Sequence, residues 1–158
     1  MSEAVNSESA AGNQTEYVTA TVGGQLFGLP ILRVQDVFIP ERLTRVPLAP
    51  PEIAGVLNLR GRIVTLIDMR SRLGLGTREP DKTPMAIGVE SRGESYGLLI
   101  DSIGEVLKLD DSAREPNPVN LDPGLARVSA GIHRLEGQLL IMVDVDRVLD
   151  IASKAIAA

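Results

Sequence analysis

Cysteine is absent from this 158-residue chain and histidine occurs once, as His133. Without thiols there are no disulfides and no thiolate chemistry, and a reducing cytoplasm suits such a chain. A metal site would have to be built from carboxylates, and no Asp-x-Asp-x-Asp-Gly loop occurs. A Ser-His-Asp triad would need His133 beside a serine such as Ser129, but no nucleophile-elbow pattern is present. His133 reads instead as a polar residue near a strand start. Gly74-Leu75-Gly76 lacks the third glycine of a dinucleotide fingerprint. The spacing of Gly23 to Gly28 resembles a phosphate loop but leads into Leu29-Pro30 instead of Lys-Ser or Lys-Thr. These shortages lead to the expectation of no enzymatic activity, no cofactor and no metal.

Aromatic residues are equally scarce: Tyr17, Phe27, Phe38 and Tyr96. So few do not make a stacking platform for single-stranded nucleic acid. The formal net charge of −5 also argues against nucleic acid or an anionic membrane as partner. No apolar run approaches the roughly 20 residues that span a bilayer. The N-terminus shows no basic start followed by an apolar block, so no signal peptide is expected.

What the chain does contain is one pattern written twice. Gly55 to Arg70 reads as strand, tight turn, strand and helix start, with the turn at Arg60-Gly61. Ile63 to Ile67 is apolar except at Thr65, so this strand is expected to be covered on both faces. Asp68 suits a helix N-cap. Gly131 to Asp144 repeats the pattern: Gly55 matches Gly131, Leu59 matches Leu135, Gly61 matches Gly137, and Asp68 matches Asp144. Each pair lies 76 positions apart (131 − 55 = 76). As equivalent positions in two copies, Asp68 and Asp144 fit two helix caps better than a catalytic carboxylate pair.

The preceding segment is also duplicated. Val18 matches Ile87, Phe27 matches Tyr96, Gly28 matches Gly97, Val34 matches Ile103, Asp36 matches Glu105, and Val37 matches Val106. These pairs lie 69 apart (97 − 28 = 69). The second copy therefore holds seven extra residues, between Val106 and Gly131. Tyr17 to Val22 alternates like a half-buried strand, with Val18, Ala20 and Val22 inward. A short helical turn is expected through Leu32 to Val34, an extended stretch from Gln35 to Ile39, and a short strand near Leu43 to Val46.

The expected organisation is a disordered tail over residues 1–16 and one ordered unit over 17–158. Within it, a first barrel repeat occupies about 17–75 and a second about 84–150, joined by a charged linker from Gly76 to Thr83. A C-terminal helix is expected over about 145–157, from the apolar spacing of Val148, Leu149, Ile151, Ala152, Ala155 and Ile156. The fold class is all-β with short helices. Two copies of five short strands with glycine turns suit two five-stranded barrels of SH3-like or OB-like type, which remove exposed edges.

These residues resemble the CheW family, the coupling proteins of bacterial chemotaxis. The resemblance covers about Tyr17 to Ile151 and is strongest in Gly55-Val56-Leu57-Asn58-Leu59-Arg60-Gly61-Arg62-Ile63 with Leu66-Ile67-Asp68-Met69-Arg70. Met69 stands where the family usually has leucine. Phe27-Gly28-Leu29-Pro30-Ile31 and Tyr96-Gly97-Leu98-Leu99-Ile100-Asp101 support it. The resemblance implies a cytoplasmic, non-enzymatic adaptor held at the inner face of the membrane through receptor arrays. Its implied partners are the regulatory domain of the histidine kinase CheA and the cytoplasmic tip of methyl-accepting chemoreceptors. The free chain is expected to be a monomer. Arg60 matches a family position implicated in partner coupling. Asn58 and Arg62 flank it, and Val34, Asp36, Ile103 and Val106 match positions near the same surface. Val34 and Ile103 read equally well as core residues. The rival from another class is a barrel-type binding module for another protein or an oligonucleotide.

Overall fold

Glycine turns at Gly23-Gly24, Arg60-Gly61 and Arg92-Gly93 fold the chain into short antiparallel hairpins, each with positive φ at both central residues. The structure, a computed structural model, describes residues 13–75 and 84–150. Its strands are β1 (Gln14–Val22), β2 (Gln25–Pro30), β3 (Val34–Phe38), β4 (Ile53–Leu59), β5 (Arg62–Asp68), β6 (Met85–Ser91), β7 (Glu94–Ile100), β8 (Ser102–Asp110), β9 (Ser129–Leu135) and β10 (Gln138–Val143). Two short helices, α1 (Met69–Leu73) and α2 (Pro123–Ala126), and 3-10 turns at Ile31–Arg33 and Asp111–Ala113 complete the assigned elements. Residues 145–150 are also helical.

The strands form two five-stranded sheets of identical plan. The first runs β9-β10-β2-β1-β8 and the second β4-β5-β7-β6-β3. Each therefore takes two strands from one copy of the repeat and three from the other. The joins β10 to β2 and β5 to β7 are parallel, and the remaining pairings are antiparallel. The second sheet is one continuous stretch from Val34 to Ile100, while the first is built from the segments on either side of it. The boundaries of the sequence copies, 17–75 and 84–150, thus do not coincide with the boundaries of the sheets. Among the described residues, hydrogen bonding leaves each sheet open between its edge strands, short of the closed barrel that the repeat suggested.

Curling replaces closure. Phe38 on edge strand β3 packs with Leu57 and Leu59 on the opposite edge strand β4, around Val64, Leu66, Ala86 and Leu99. In the first sheet Leu107 and Leu135, from opposite edges, meet around Tyr17, Leu140 and Met142. These two small cores use the same places in the repeat: Phe38 and Leu107 lie 69 apart, while Val64 and Leu140, and Leu66 and Met142, lie 76 apart. A third and largest core fills the seam between the sheets, with Phe27, Ile67, Leu73, Ile87, Leu98, Ile132 and Ile141 all at or below 1 % exposure. Such sites exclude water from several side chains at once, each contributing about 1.5–3 kcal/mol.

Two edges are covered by the loops that lead to them. Thr44 exchanges backbone hydrogen bonds with Val56, at 2.8 and 2.7 Å, and Glu115 does so with Ile132, at 2.8 Å both ways. The covering backbone comes so close that a Cβ on Gly55 would sit 2.5 Å from the Thr44 carbonyl oxygen, and one on Gly131 2.9 Å from that of Glu115. This close approach accounts for glycine at the start of the repeated hairpin in both copies. The expected strand near Leu43 to Val46 is reduced to this single bridge.

Both anticipated caps are present. The Asp68 carboxylate accepts from the Arg70 and Ser71 amides. The Asp144 carboxylate accepts from the Arg147 amide at 3.2 Å, at the head of helical residues 145–150. The expected helix continues to 157, of which 151–157 lie outside the described residues, as do the linker 76–83 and the tail up to residue 12.

Three expectations are corrected. Gln14 to Glu16 belong to β1 and not to a tail, because Leu109, Lys108 and Asp110 of β8 offer them a ladder. β1 is buried on both faces from Tyr17 to Ala20, since Tyr17 and Thr19 also find cover. Ile63 is 62 % exposed, so β5 is covered on both faces only from Val64.

Candidate functional site

The turn between β4 and β5 is shaped by its own residues. Asn58 is exposed, and its Oδ1 accepts the Gly61 amide at 2.9 Å, tying the strand end to the turn. Arg60 has φ 55° and Gly61 φ 82°. Positive φ crowds the Cβ of any non-glycine residue, and the hairpin turn imposes it here as it does at Arg92. The counterpart of Arg60, Glu136, does not share this conformation, although Gly137, at φ 84°, matches Gly61.

Arg60 stands out from the body with 82 % of its side chain exposed. Its guanidinium faces Asp36 at 4.0 Å, a loose ion pair from the β4–β5 turn to edge strand β3. An exposed pair of that length adds little to stability. Asp36 is seated by Gly88 on β6: a Cβ there would collide with Asp36 Oδ1. Arg62 extends beside Arg60 and donates from Nη1 to Ser95 Oγ at 3.3 Å. Between them lies a groove of about 430 Å³, with Asp36, Arg60 and Arg62 among its polar lining and Phe38, Leu59 and Tyr96 among its apolar lining. A second groove of about 610 Å³ shares Phe38 and Leu59 and runs past Ile39, Asn58 and Ile63 toward Arg42.

The structure therefore brings Asn58, Arg60, Arg62 and Asp36 together at one end of the second sheet. Val34 lies two residues from Asp36 on the same strand, half-buried against the seam core. Ile103 is packed in the same way at the start of β8, so these two repeat counterparts serve the core. Val106 is 48 % exposed on β8 and belongs to the first sheet, away from the Arg60 turn in the topology. Sequence reasoning passed over the exposed apolar residues of the second groove, Ile39 (54 % exposed) and Ile63 (62 %). The available signal for Ile63 was its place next to the turn, directly after Arg62.

His133 is 3 % exposed, with its ring centroid 6.2 Å from that of Tyr17, and Nε2 has no hydrogen-bond partner among the described residues. Burial holds its pKa below the usual histidine value. Its place in the repeat is that of Leu57 (133 − 57 = 76), a core position. Among the described residues no three His, Cys, Asp or Glu side chains are grouped so as to hold a metal ion. No helix among them is long and apolar enough to cross a membrane.

The surface assembled here offers two exposed cations, one carboxylate and an apolar rim on a rigid hairpin. Such a surface can bind another macromolecule through charge and apolar complementarity. The fold is shared with known proteins. The chain is 29 % identical over 133 residues to the chemotaxis protein CheW of Rhizobium meliloti, covering 84 % of this chain and 86 % of that one. It is 30 % identical over 129 residues to the chemotaxis protein CheW of Bacillus subtilis, covering 82 % and 83 %. The crystal structure of the scaffolding protein TtCheW from Thermoanaerobacter tengcongensis superimposes with a TM-score of 0.80 at 29 % identity, covering 92 % of this chain and 94 % of that one. The model of the CheW-like domain matches residues 16–153, and the chain belongs to the CheW-like domain family.

Proposed function

We propose that this protein is a non-enzymatic adaptor of chemosensory signalling, which couples the cytoplasmic tip of methyl-accepting chemoreceptors to the regulatory domain of the histidine kinase CheA. The observation that carries the reading is Arg60: a long cation held at positive φ, 82 % exposed, and paired only at 4.0 Å. The two-residue turn sets the positive φ, as it does at Arg92, and the exposed side chain presents its guanidinium fork to a partner carboxylate. The relatives named as chemotaxis proteins and the superimposed scaffolding protein support the same reading.

In this proposal the face bearing Asp36, Asn58, Arg60 and Arg62 meets the kinase domain. A receptor helix lies along the seam between the sheets, near the strands that carry Val34, Ile103 and Val106, in the helix-in-groove mode. Each contact is modest, about 800 Å² per partner or less, and gains strength from multivalency in the array. The adaptor is then cytoplasmic, monomeric when free, and brought to the membrane only through receptors. The oligonucleotide reading is disfavoured because Tyr17, Phe27 and Tyr96 are at most 5 % exposed and cannot stack on bases.

The test is calorimetric titration of the purified chain with a receptor cytoplasmic fragment and, separately, with the kinase regulatory domain. Saturable binding to both is expected. Binding to neither, or affinity for DNA that falls steeply with salt, would reject the adaptor reading.

A further inference from the structure

The two helices that follow the long hairpins run past one another in opposite directions. At the end of α1, the Leu73 carbonyl lies so close to Gly124 of α2 that a Cβ there would collide with it. α2 leads into Val128, whose carbonyl accepts the Asp144 amide at 2.8 Å, at the head of helical residues 145–150. This second helix therefore starts where α1 ends. At the head of α1, the Asp68 amide donates to the Glu52 carbonyl at 2.7 Å. Between the two ends, Arg72 donates from Nη2 to the Arg147 carbonyl at 2.9 Å and from Nε to that of Val148 at 3.2 Å. Arg72 and Val148 are repeat counterparts (148 − 72 = 76), so equivalent places of the two copies meet here. Glu52 and Asp150 both act on the Arg72 guanidinium through their charges. The second helix thus points from α2 toward Glu52 and the loop before β4.

That loop is the counterpart of α2 without its helix. Pro47 matches Pro123 and Ala49 matches Leu125, 76 positions apart (123 − 47 = 76). The Ala49 amide donates to the Val46 carbonyl at 3.3 Å, as the Leu125 amide does to that of Asp122 at 3.0 Å. The two ends of the helix pair are covered differently. α1 stops beside α2 at Gly74, in the left-handed region at φ 71°. The second helix has Asp150 in that place, and the chain continues with Ile151, Ala152, Ala155 and Ile156 among its next residues. Where this helix points lies a groove of about 560 Å³, lined by Val46, Pro47, Ala49, Pro50, Ile53 and Asp68 among others. Val46 is 40 % exposed, and Leu48, between two lining residues, is fully exposed.

We infer that segment 151–158 docks in this groove as a continuation of the second helix, covering the loop before β4 as α2 covers the end of α1. Val145, Val148 and Leu149 already face the seam core. Ala152, Ala155 and Ile156 extend the same stripe at helical spacing. Eight more residues lengthen a helix by about 12 Å. The Arg147 and Val148 carbonyls each have two lone pairs, so the bonds from Arg72 leave room for the amides of a further turn. Alanines permit close approach to the loop, and Ile156 supplies an apolar side chain for the groove. A segment tethered at Asp150 reaches its site at high effective concentration, which favours it over a second copy or another protein.

The absence of cysteine makes disulfide trapping in the full chain a direct measurement. Val46→Cys is combined in turn with Ala152→Cys, Ala155→Cys and Ile156→Cys. Ile63→Cys, at the other end of β5 from Asp68, is the control in the same three combinations. At least one Val46 pair should close within a single chain on mild oxidation, while the Ile63 pairs stay open. The full-length Ile156→Asp variant should melt about 2–4 °C or more below the native chain. Its hydrogen exchange should be faster at the Ala49 and Ile53 amides and unchanged at the Asp144 amide. Val46 pairs that close no faster than the Ile63 pairs would overturn the docking. Disulfides between two chains would assign the groove to a second copy and equally overturn it. A lower melting temperature with unchanged exchange at Ala49 and Ile53 would show that the segment supports only its own helix, which would also overturn it.

Discussion

Arg70 holds Asp101 by two hydrogen bonds, Nε to Oδ1 at 3.0 Å and Nη2 to Oδ2 at 2.6 Å, where the chain crosses from the second sheet to the first. The residue in the place of Arg70 in the other copy is Asp146 (146 − 70 = 76). Asp146 does the same at the opposite crossover with the charges reversed, pairing with Arg33 between β2 and β3 at 3.0 Å. Each crossover is thus pinned to the helix start that follows the long hairpin, once by a cation and once by an anion. The two pins differ in depth. Arg70 and Asp101 are 16 % and 14 % exposed, whereas Arg33 and Asp146 are 33 % and 63 % exposed.

Depth decides what each pin is worth. Asp101 also accepts the Gly23 amide at 2.8 Å, so Asp101→Ala leaves a part-buried guanidinium and a backbone donor without this acceptor. That change should destabilise the protein by about 2–3 kcal/mol. Asp146→Ala should cost about 1 kcal/mol or less, because solvent screens the exposed pair. The Arg33 hydrogen bond holds the Asp146 carboxyl below the usual aspartate value. Its small contribution is therefore complete above the ordinary value and is lost as pH falls toward the lowered one. Urea denaturation of both variants measures the difference, and equal costs would refute the assignment of depth.

Gly55→Ala and Gly131→Ala should each destabilise by about 2 kcal/mol or more. Both glycines have positive φ, 152° and 129°, and both face a carbonyl of the covering loop. The added methyl must displace the Thr44 or Glu115 bridge and uncover an edge strand. Hydrogen exchange should then show faster exchange at Val56 in the first variant and at Ile132 in the second. Protection retained at those amides would mean that the bridges do not depend on the glycines.

His133→Leu should stabilise the protein by about 1 kcal/mol, since it replaces a buried ring bearing an unpartnered nitrogen. The first copy already carries leucine at this place, Leu57. The sign of the pH dependence follows from burial, which lowers the folded-state pKa below the ordinary value of 6.5. Stability linked to the neutral ring is complete above 6.5 and declines as pH falls from there to the lowered folded value. Tyr17 lies tilted against the ring, and Arg114, Asp111, Asp110 and Glu115 act on it through their charges. The variant should lose that decline, which denaturation at pH 7.5 and at pH values below 6.5 would reveal. An unchanged slope would place the titration elsewhere.

The duplication was legible because glycine turns and capping aspartates recur at fixed offsets, and the structure bears out both caps. The exchange of strands, which the family resemblance left open, was not legible in the residues. Alternation shows which face of a strand is buried but not which copy supplies its neighbour, and β5 pairs equally well in pattern with either. The extension of β1 to Gln14 was missed for a related reason: Gln14, Thr15 and Glu16 bury little, and only the partner ladder of β8 makes them strand. His133 looked like a polar residue near a strand start because a lone sequence gives no sign that an imidazole replaces a core leucine, unless the repeat is read position by position. At the candidate site, Arg60, Asn58 and Arg62 were visible through the turn glycine. Asp36 was tied to them by resemblance alone until the curl of the sheet brought the edges together.

Arg60→Glu separates a partner-facing role from an internal one. The side chain is 82 % exposed and its ion pair with Asp36 is long, so the fold should lose little: about 0.5 kcal/mol or less. A glutamate would face Asp36 across the same gap, and the turn would relax outward without touching the core, since Phe38 and Leu59 hold that end of the sheet. Binding should respond differently. The guanidinium offers five donors in a planar fork, and a carboxylate in its place repels any acidic partner surface. Near-native melting with loss of kinase-domain binding is the expected result. Restoration by Arg60→Lys should be incomplete, because an ammonium supplies charge without the bidentate fork. A fall in melting temperature of more than about 5 °C, corresponding to over 1 kcal/mol, would show that Arg60 secures the hairpin to β3. Its exposure would then be incidental.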